Sequence, residues 1–297
     1  MDEQEAKALS VKMFLDATPA SNDAPIEEWR AGFEALAAQL GMPEHLEIVA
    51  LDIGGVPCLK VTAPGARQDA ILVHYHSGGY VMGSANAYRQ FGGRLSAAVG
   101  LPVLLPDYRL APEHVFPAAA EDGLAVYEAL LKTYPAGKIV LSGDSAGGGL
   151  CIATLLNIRD KGLAAPSCAL AIGPLLDLAG EGASAVEGAD PLIDRSMIVD
   201  MGKVYIGDLD PHDTPLASPL WGQHHGLPPV YLTASVSEAL RDDSVRLARS
   251  IEAAGGVAQL SLVEDAIHIW PFFPFLKAAA TSLAEISDFV RGHLPAA

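Results

Sequence analysis

Ser145 stands in the run Lys138-Ile-Val-Leu-Ser-Gly-Asp-Ser-Ala-Gly-Gly-Gly149, followed by Leu150, Ile152, Ala153, Leu155 and Leu156. An apolar strand, a Gly143-x-Ser145-x-Gly147 turn and a helix in that order make a nucleophile elbow. Glycines flank the serine because a Cβ there would strike neighbouring strand or helix backbone. The hydroxyl is lifted clear of the sheet, with a helix N-terminus behind it that favours developing negative charge. A G-x-S-x-G by itself is often only a glycine-rich turn; its setting between strand and helix is what points to chemistry. That chemistry is acyl transfer. It needs a base for the serine proton, an acid to orient the base, and donors for an oxyanion.

Behind an elbow of this kind the partners follow in the order acid, then histidine. His268 comes after the apolar run that ends near Val263, where a loop from the last strand would hold a base above the serine. Its bland alternative is a surface or core histidine beside Trp270. For the acid, Glu238 lies just past the run ending near Ala234, in Ser235-Val-Ser-Glu-Ala-Leu-Arg-Asp-Asp243. Asp242 and Asp243 are rivals, but they open a helix, where carboxylates are common for capping and dipole reasons alone. Asp265 is too near His268 in sequence to reach the far ring nitrogen. Glu238 is therefore the expected acid, since strand-end loops position such groups. The oxyanion donors are expected from the N–H of Ala146 and from His76-Ser-Gly-Gly-Tyr80, a loop close to the HGGG type that follows the buried run Ala70 to Tyr75.

These residues must be carried by regular elements. Val11, Phe14 and Leu15, then Trp29, Phe33, Leu36 and Leu40, recur at helical spacing around a breaker-rich loop, residues 17–25. Leu46 to Ile53 and Val56 to Thr62 straddle Gly54-Gly55 and predict a hairpin. Strands follow at Ala70 to Tyr75, Leu101 to Leu105, Ile139 to Leu141, Ser167 to Ile172, Val230 to Ala234 and Ala258 to Val263. Helices are expected at Ala87 to Val99, Ala119 to Thr133, after the elbow, Ser244 to Ala254 and Phe275 to Leu294. A hairpin followed by alternating strand and helix gives a mostly parallel α/β sheet covered on both faces. Gly180 to about Asp210 breaks the rhythm with helix-like Met197, Ile198, Met201, Val204 and Tyr205. An insertion on the side where ligands bind reads as a lid that meets the N-terminal helices over the site. The expected division is 1–40 for N-terminal cap helices, 41–179 for the first part of the core, 180–210 for inserted cap helices and 211–297 for the rest of the core.

Composition narrows the function classes. Thirty-six acidic against 19 basic residues give a net charge of −17, which repels phosphate backbones, so no nucleic-acid partner is expected and an anionic substrate is disfavoured. No apolar run is long enough to span a membrane. The acidic N-terminus lacks the plan of a signal peptide, and three cysteines (Cys58, Cys151, Cys168) without C-x-x-C spacing offer neither a disulfide framework nor a zinc site. Both features predict a cytoplasmic protein with core cysteines.

Taken together, His76-Ser-Gly-Gly-Tyr80, Asp107-Tyr-Arg-Leu-Ala-Pro-Glu-His114 with Phe116-Pro-Ala-Ala, and Gly143-Asp-Ser-Ala-Gly-Gly148 resemble the hormone-sensitive-lipase-like esterases (bacterial lipase family IV) of the α/β-hydrolase fold. The likeness runs over nearly the whole chain, including Ala189-Asp-Pro-Leu192 and Ala217-Ser-Pro-Leu220. The resemblance implies an α/β-hydrolase core under a helical cap, hydrolysis of small neutral esters with short to medium acyl chains, no cofactor or metal, and homodimers paired through the last strand. Carried over by motif, Ser145 is the nucleophile, His268 the base, and Gly78, Gly79 and Ala146 the oxyanion donors. The family's Asp-Pro-Leu-x-Asp-Glu is matched by Glu238-Ala-Leu-Arg-Asp-Asp243, which puts glutamate at the acid position. Ser77 replaces the first glycine of HGGG, and Arg109 and Glu113 are expected to lock a loop by ion pairing.

The leading function is thus a serine carboxylesterase working through an acyl-enzyme. Amide or lactone cleavage by the same triad is the alternative, because the difference lies in leaving-group protonation and pocket shape. A ligand-binding receptor on this scaffold, as in the gibberellin receptors, lacks the histidine that this chain keeps. Dehalogenase or epoxide-hydrolase chemistry wants aspartate where Ser145 stands.

Overall fold

The computed structural model describes residues 1–19, 21 and 24–295; residues 20, 22 and 23 of the predicted loop 17–25 lie outside the described residues. Two helices come first, α1 (Glu3–Ala17) and α2 (Ile26–Ala38). Asp2 caps α1 in a reciprocal box with Glu5, each side chain taking the other's backbone N–H at 2.9 Å. The hairpin follows as β1 (Glu47–Ile53) and β2 (Val56–Thr62), turning at Gly54-Gly55, both at positive φ.

Strand and helix then alternate through β3 (Ile71–Tyr75), α3 (Arg89–Val99), β4 (Val103–Pro106), α4 (Ala118–Leu130), β5 (Ile139–Asp144), α5 (Ala146–Asp160) and β6 (Cys168–Ile172). The inserted segment supplies α6 (Ala183–Glu187) and α7 (Arg195–Ile206). The chain closes with β7 (Val230–Ser235), α8 (Arg241–Ala253), β8 (Ala258–Val263) and α9 (Lys277–His293).

One sheet of eight strands results, in the order β1-β2-β4-β3-β5-β6-β7-β8. β1 and β2 are antiparallel to their neighbours; from β4 to β8 every pairing is parallel. Every residue of β3 to β7 is buried, as a parallel sheet covered on both faces requires. Alternation along β3 shows how the cover is divided. His74 points to one face, its ring 5.0 Å from that of Phe91 on α3, and Tyr75 points to the other, donating its hydroxyl to Gly123 O on α4.

The predicted elements appear with shifted ends. α8 begins at Arg241 rather than Ser244, which places Asp242 and Asp243 inside its first turn. Sequence periodicity gave no sign of α6, whose five residues are too few to show one. The three cysteines are free and buried, and burial pushes the Cys58 thiol up to about 12, so they behave as core residues. Among the described residues, no helix is long and apolar enough to cross a membrane.

Candidate active site

β5 runs straight into Ser145, whose φ of 52° and ψ of −122° lie outside the usual regions for a residue with a side chain. The strain is held by hydrogen bonds. Ser145 N–H donates to Ile172 O at 2.9 Å, and Ser145 O accepts from Leu175 N–H at 2.9 Å. Close approach explains the flanking glycines: a Cβ on Gly143 would lie 2.0 Å from Gly147 O, and one on Gly147 would lie 2.0 Å from Tyr75 O. Ala146 is the first residue of α5, and the opening N–H groups of a helix have no partner inside it.

Across the site, Glu238 sits on the turn after β7 and His268 on the loop after β8. Their side chains meet, His268 Nδ1 against Glu238 Oε2 at 2.9 Å, with Glu238 only 1 % and His268 3 % exposed. A carboxylate on Nδ1 leaves Nε2 as the ring nitrogen available for proton exchange. Burial alone would lower the His268 pKa. The hydrogen bond and charge of Glu238, with Asp190 and Asp144 adding to it, outweigh burial and raise it above the ordinary histidine value. Burial raises Glu238 in turn, with His268 opposing.

Ser145, His268, Gly78 and Gly79 open onto one narrow cavity of about 50 Å³. The remaining lining is largely apolar and includes side chains of three helices: Phe14 from α1, Phe33 from α2, and Met197, Ile198 and Met201 from α7. Gly78 and Gly79 have φ of 119° and 62°, and their loop is tied to β5 through Ser77. The Tyr88 hydroxyl lies 2.5 Å from Asp144 Oδ2 and 2.7 Å from Ser77 Oγ. A phenol has one proton to give, so Tyr88 donates to the carboxylate and accepts from Ser77. His74 completes the network, 3.2 Å from Asp144 Oδ1 and 2.9 Å from Ser142 Oγ. Tyr88→Phe strands a buried carboxylate oxygen and the Ser77 hydroxyl, so it should cost about 1–3 kcal/mol. The measurement is a denaturant midpoint; an unchanged midpoint contradicts the network.

The rival carboxylates are engaged elsewhere. Asp242 accepts from Ser184 N–H and pairs with Arg241, both at 3.0 Å. Asp243 accepts from Leu176 N–H (2.8 Å) and Asp177 N–H (3.0 Å), and burial pushes its carboxyl up to about 8. Asp265 is exposed and faces Lys7 at 3.9 Å. His293, the other histidine in this part of the chain, is in the last turn of α9 with Nδ1 on Phe289 O. Arg109 pairs with Asp122 and Glu121, while Glu113 takes both Arg30 terminal nitrogens at 2.7 Å. Arg30 also donates to Val81 O and Ala111 O, fastening α2 beside the glycine loop.

Sequence reasoning missed three supports. Asp190 accepts from Ala239 N–H at 2.9 Å, joining the inserted segment to the Glu238 turn. A Cβ on Gly173 would press on Glu238 Oε2 at 3.0 Å and His268 Nδ1 at 3.2 Å. His74 and Tyr88 hold Asp144 from a strand and a loop. None of these has a spacing signal, because each acts through a neighbour brought close only by the fold; Asp190 alone lay in a motif, Ala189-Asp-Pro-Leu192.

The likeness to known proteins follows this geometry. The profile of the α/β hydrolase fold family matches residues 72–272. The chain is 37% identical over 231 residues to an acetyl-hydrolase of Streptomyces hygroscopicus, covering 76% of this chain and 77% of that one. It is 35% identical over 266 residues to the putative acetyl-hydrolase LipR of Mycobacterium tuberculosis, covering 87% and 85%. The structure superposes with a TM-score of 0.95 on the crystal structure of an esterase from the bacterial hormone-sensitive lipase family, at 33% identity over 99% of this chain and 100% of the other. Elbow, sheet order and whole-chain likeness agree: the chain belongs to the hormone-sensitive-lipase-like esterases of the α/β-hydrolase fold.

Proposed function

We propose that this carboxylic ester hydrolase uses Ser145 as nucleophile, His268 as general base and acid, Glu238 to orient and stabilise the imidazole, and the N–H groups of Gly78, Gly79 and Ala146 to hold the oxyanion. The single observation that carries the reading is the buried Glu238–His268 pair, whose imidazole lines the same apolar cavity as the strained Ser145.

Ser145 Oγ attacks the ester carbonyl carbon while His268 Nε2 takes the hydroxyl proton, and the carbonyl oxygen becomes an oxyanion facing the glycine loop. Collapse breaks the bond to the alcohol oxygen, which leaves with the proton from His268. Water then attacks the acyl-enzyme, gives its proton to His268, and the second collapse returns the proton to Ser145 and releases the acid.

An apolar cavity and a net charge of −17 favour neutral esters, and the relatives named acetyl-hydrolase favour short acyl groups. In this reading α1, α2, α6 and α7 form a cap over the core: side chains of α1, α2 and α7 line the cavity, and α6 precedes α7 in the same segment between β6 and β7. Pairing of two copies along β8 is supported by its place at the sheet edge and by exposed Leu262; a cytoplasmic setting is supported by three unpaired cysteines.

The test is turnover of p-nitrophenyl acetate as a function of pH. Only neutral His268 accepts a proton, so kcat/KM must rise with pH as His268 is deprotonated. The factors that raise its pKa place the midpoint above 6.5, the ordinary value. Glu238→Gln and Asp190→Asn each remove a negative charge and move the midpoint down. A rate that falls across this range, or a midpoint unmoved in both variants, contradicts the assignment.

A further inference from the structure

A second cavity adjoins the one that holds Ser145. It lies between α2 and α7 and holds about 230 Å³, with Ile26, Trp29, Val81, Pro112 and Val204 among its walls. The two cavities share two lining residues among those described, Met197 and Met201. Four positions apart on α7, these side chains stack on one face of the helix and form the wall between the cavities. Met201 also covers the glycine loop: a Cβ on Gly79 would fall 2.2 Å from its sulfur.

A wall of methionine differs from one of valine or isoleucine. Its unbranched side chain turns about several bonds at little cost, whereas a β-branched chain is stiff at χ1. We propose that Met197 and Met201 form a movable partition, and that the second cavity receives the far end of an aliphatic arm of an ester whose carbonyl lies at Ser145. This deepens the esterase reading and rests on it. The substrate class is a neutral ester with one straight alkyl arm longer than the catalytic cavity holds. Apolar walls suit such a chain. The two cavities meet beside the reacting groups, at the methionine pair they share.

The test reads the ratio of kcat/KM for a long ester to that for a short one, in two series: p-nitrophenyl octanoate against acetate, and octyl acetate against ethyl acetate. Val204 is 41 % exposed and lines the second cavity but not the first, so Val204→Trp fills the proposed site from α7, one turn beyond Met201. It should lower the ratio at least fivefold in one series. Met201→Ala opens the partition and should raise that same ratio at least fivefold, a gain that Val204→Trp cancels in the double variant. Ile26→Phe fills the cavity from the opposite wall and serves if Val204→Trp does not fold. Ratios within twofold of wild type in both series for a folded filling variant overturn the inference, as does a gain that survives in the double variant. Ser145→Ala separates the two levels of the argument. If it retains acetate turnover, the esterase reading itself fails; if it is inactive while the ratios stay put, only the second cavity's role falls.

Discussion

Ser145→Ala should slow hydrolysis of p-nitrophenyl acetate by roughly 10⁴- to 10⁶-fold while leaving the thermal midpoint close to that of wild type. The size follows from what is removed. Without Oγ no acyl-enzyme forms, and what remains is binding plus oxyanion stabilisation of direct attack by water. The fold should be spared because the bonds that hold the elbow are made by the Ser145 backbone, N–H to Ile172 and C=O from Leu175 and Gly149. Alanine keeps the Cβ, so no new clash arises at φ 52°. Purified variant and wild type are compared by turnover and by melting. A folded variant within tenfold of wild type would falsify the nucleophile assignment.

Glu238→Gln should lower kcat by roughly 10³- to 10⁴-fold with KM little changed, while Asp242→Asn should cost less than tenfold. A carboxylate on Nδ1 accepts the imidazole N–H and leaves Nε2 free to take the serine proton. An amide of the same shape can turn its NH₂ toward Nδ1, which puts the ring proton on Nε2 and blocks that step. Glutamine also withdraws the charge that stabilises the imidazolium formed during reaction. Asp242, by contrast, faces Ser184 N–H and Arg241, so its loss loosens the seam between α6 and α8 without touching the imidazole. Steady-state kinetics of both variants decide the matter, and the reverse ranking moves the acid away from Glu238.

The order of these residues along the chain could be read early because each stands at a boundary between elements. Ser145 is announced by apolar residues before it and helix-forming residues after it, with glycines where no Cβ fits. The glycine loop is announced by the buried strand that precedes it. Glu238 and His268 follow apolar runs of strand length. Such signals are local, so one sequence suffices to see them. The shifted start of α8 has the opposite character. Asp242 and Asp243 are weak helix formers, and packing of Asp243 under the loop at Leu176 draws them into the first turn.

Hydropathy and turn chemistry thus sufficed for the alternation of strand and helix, the place of the elbow, and the chain order of the chemical groups, because these depend on neighbours within a few residues. Asp190 beneath the Glu238 turn, Gly173 against the imidazole, the Tyr88–Asp144–His74 network and the methionine wall were decided only when the chain closed on itself. Each depends on groups far apart in sequence approaching within a few ångströms. Composition and periodicity carry no record of such distances, which follow from how the sheet twists, how the helices settle on it, and which side chains are left facing one another.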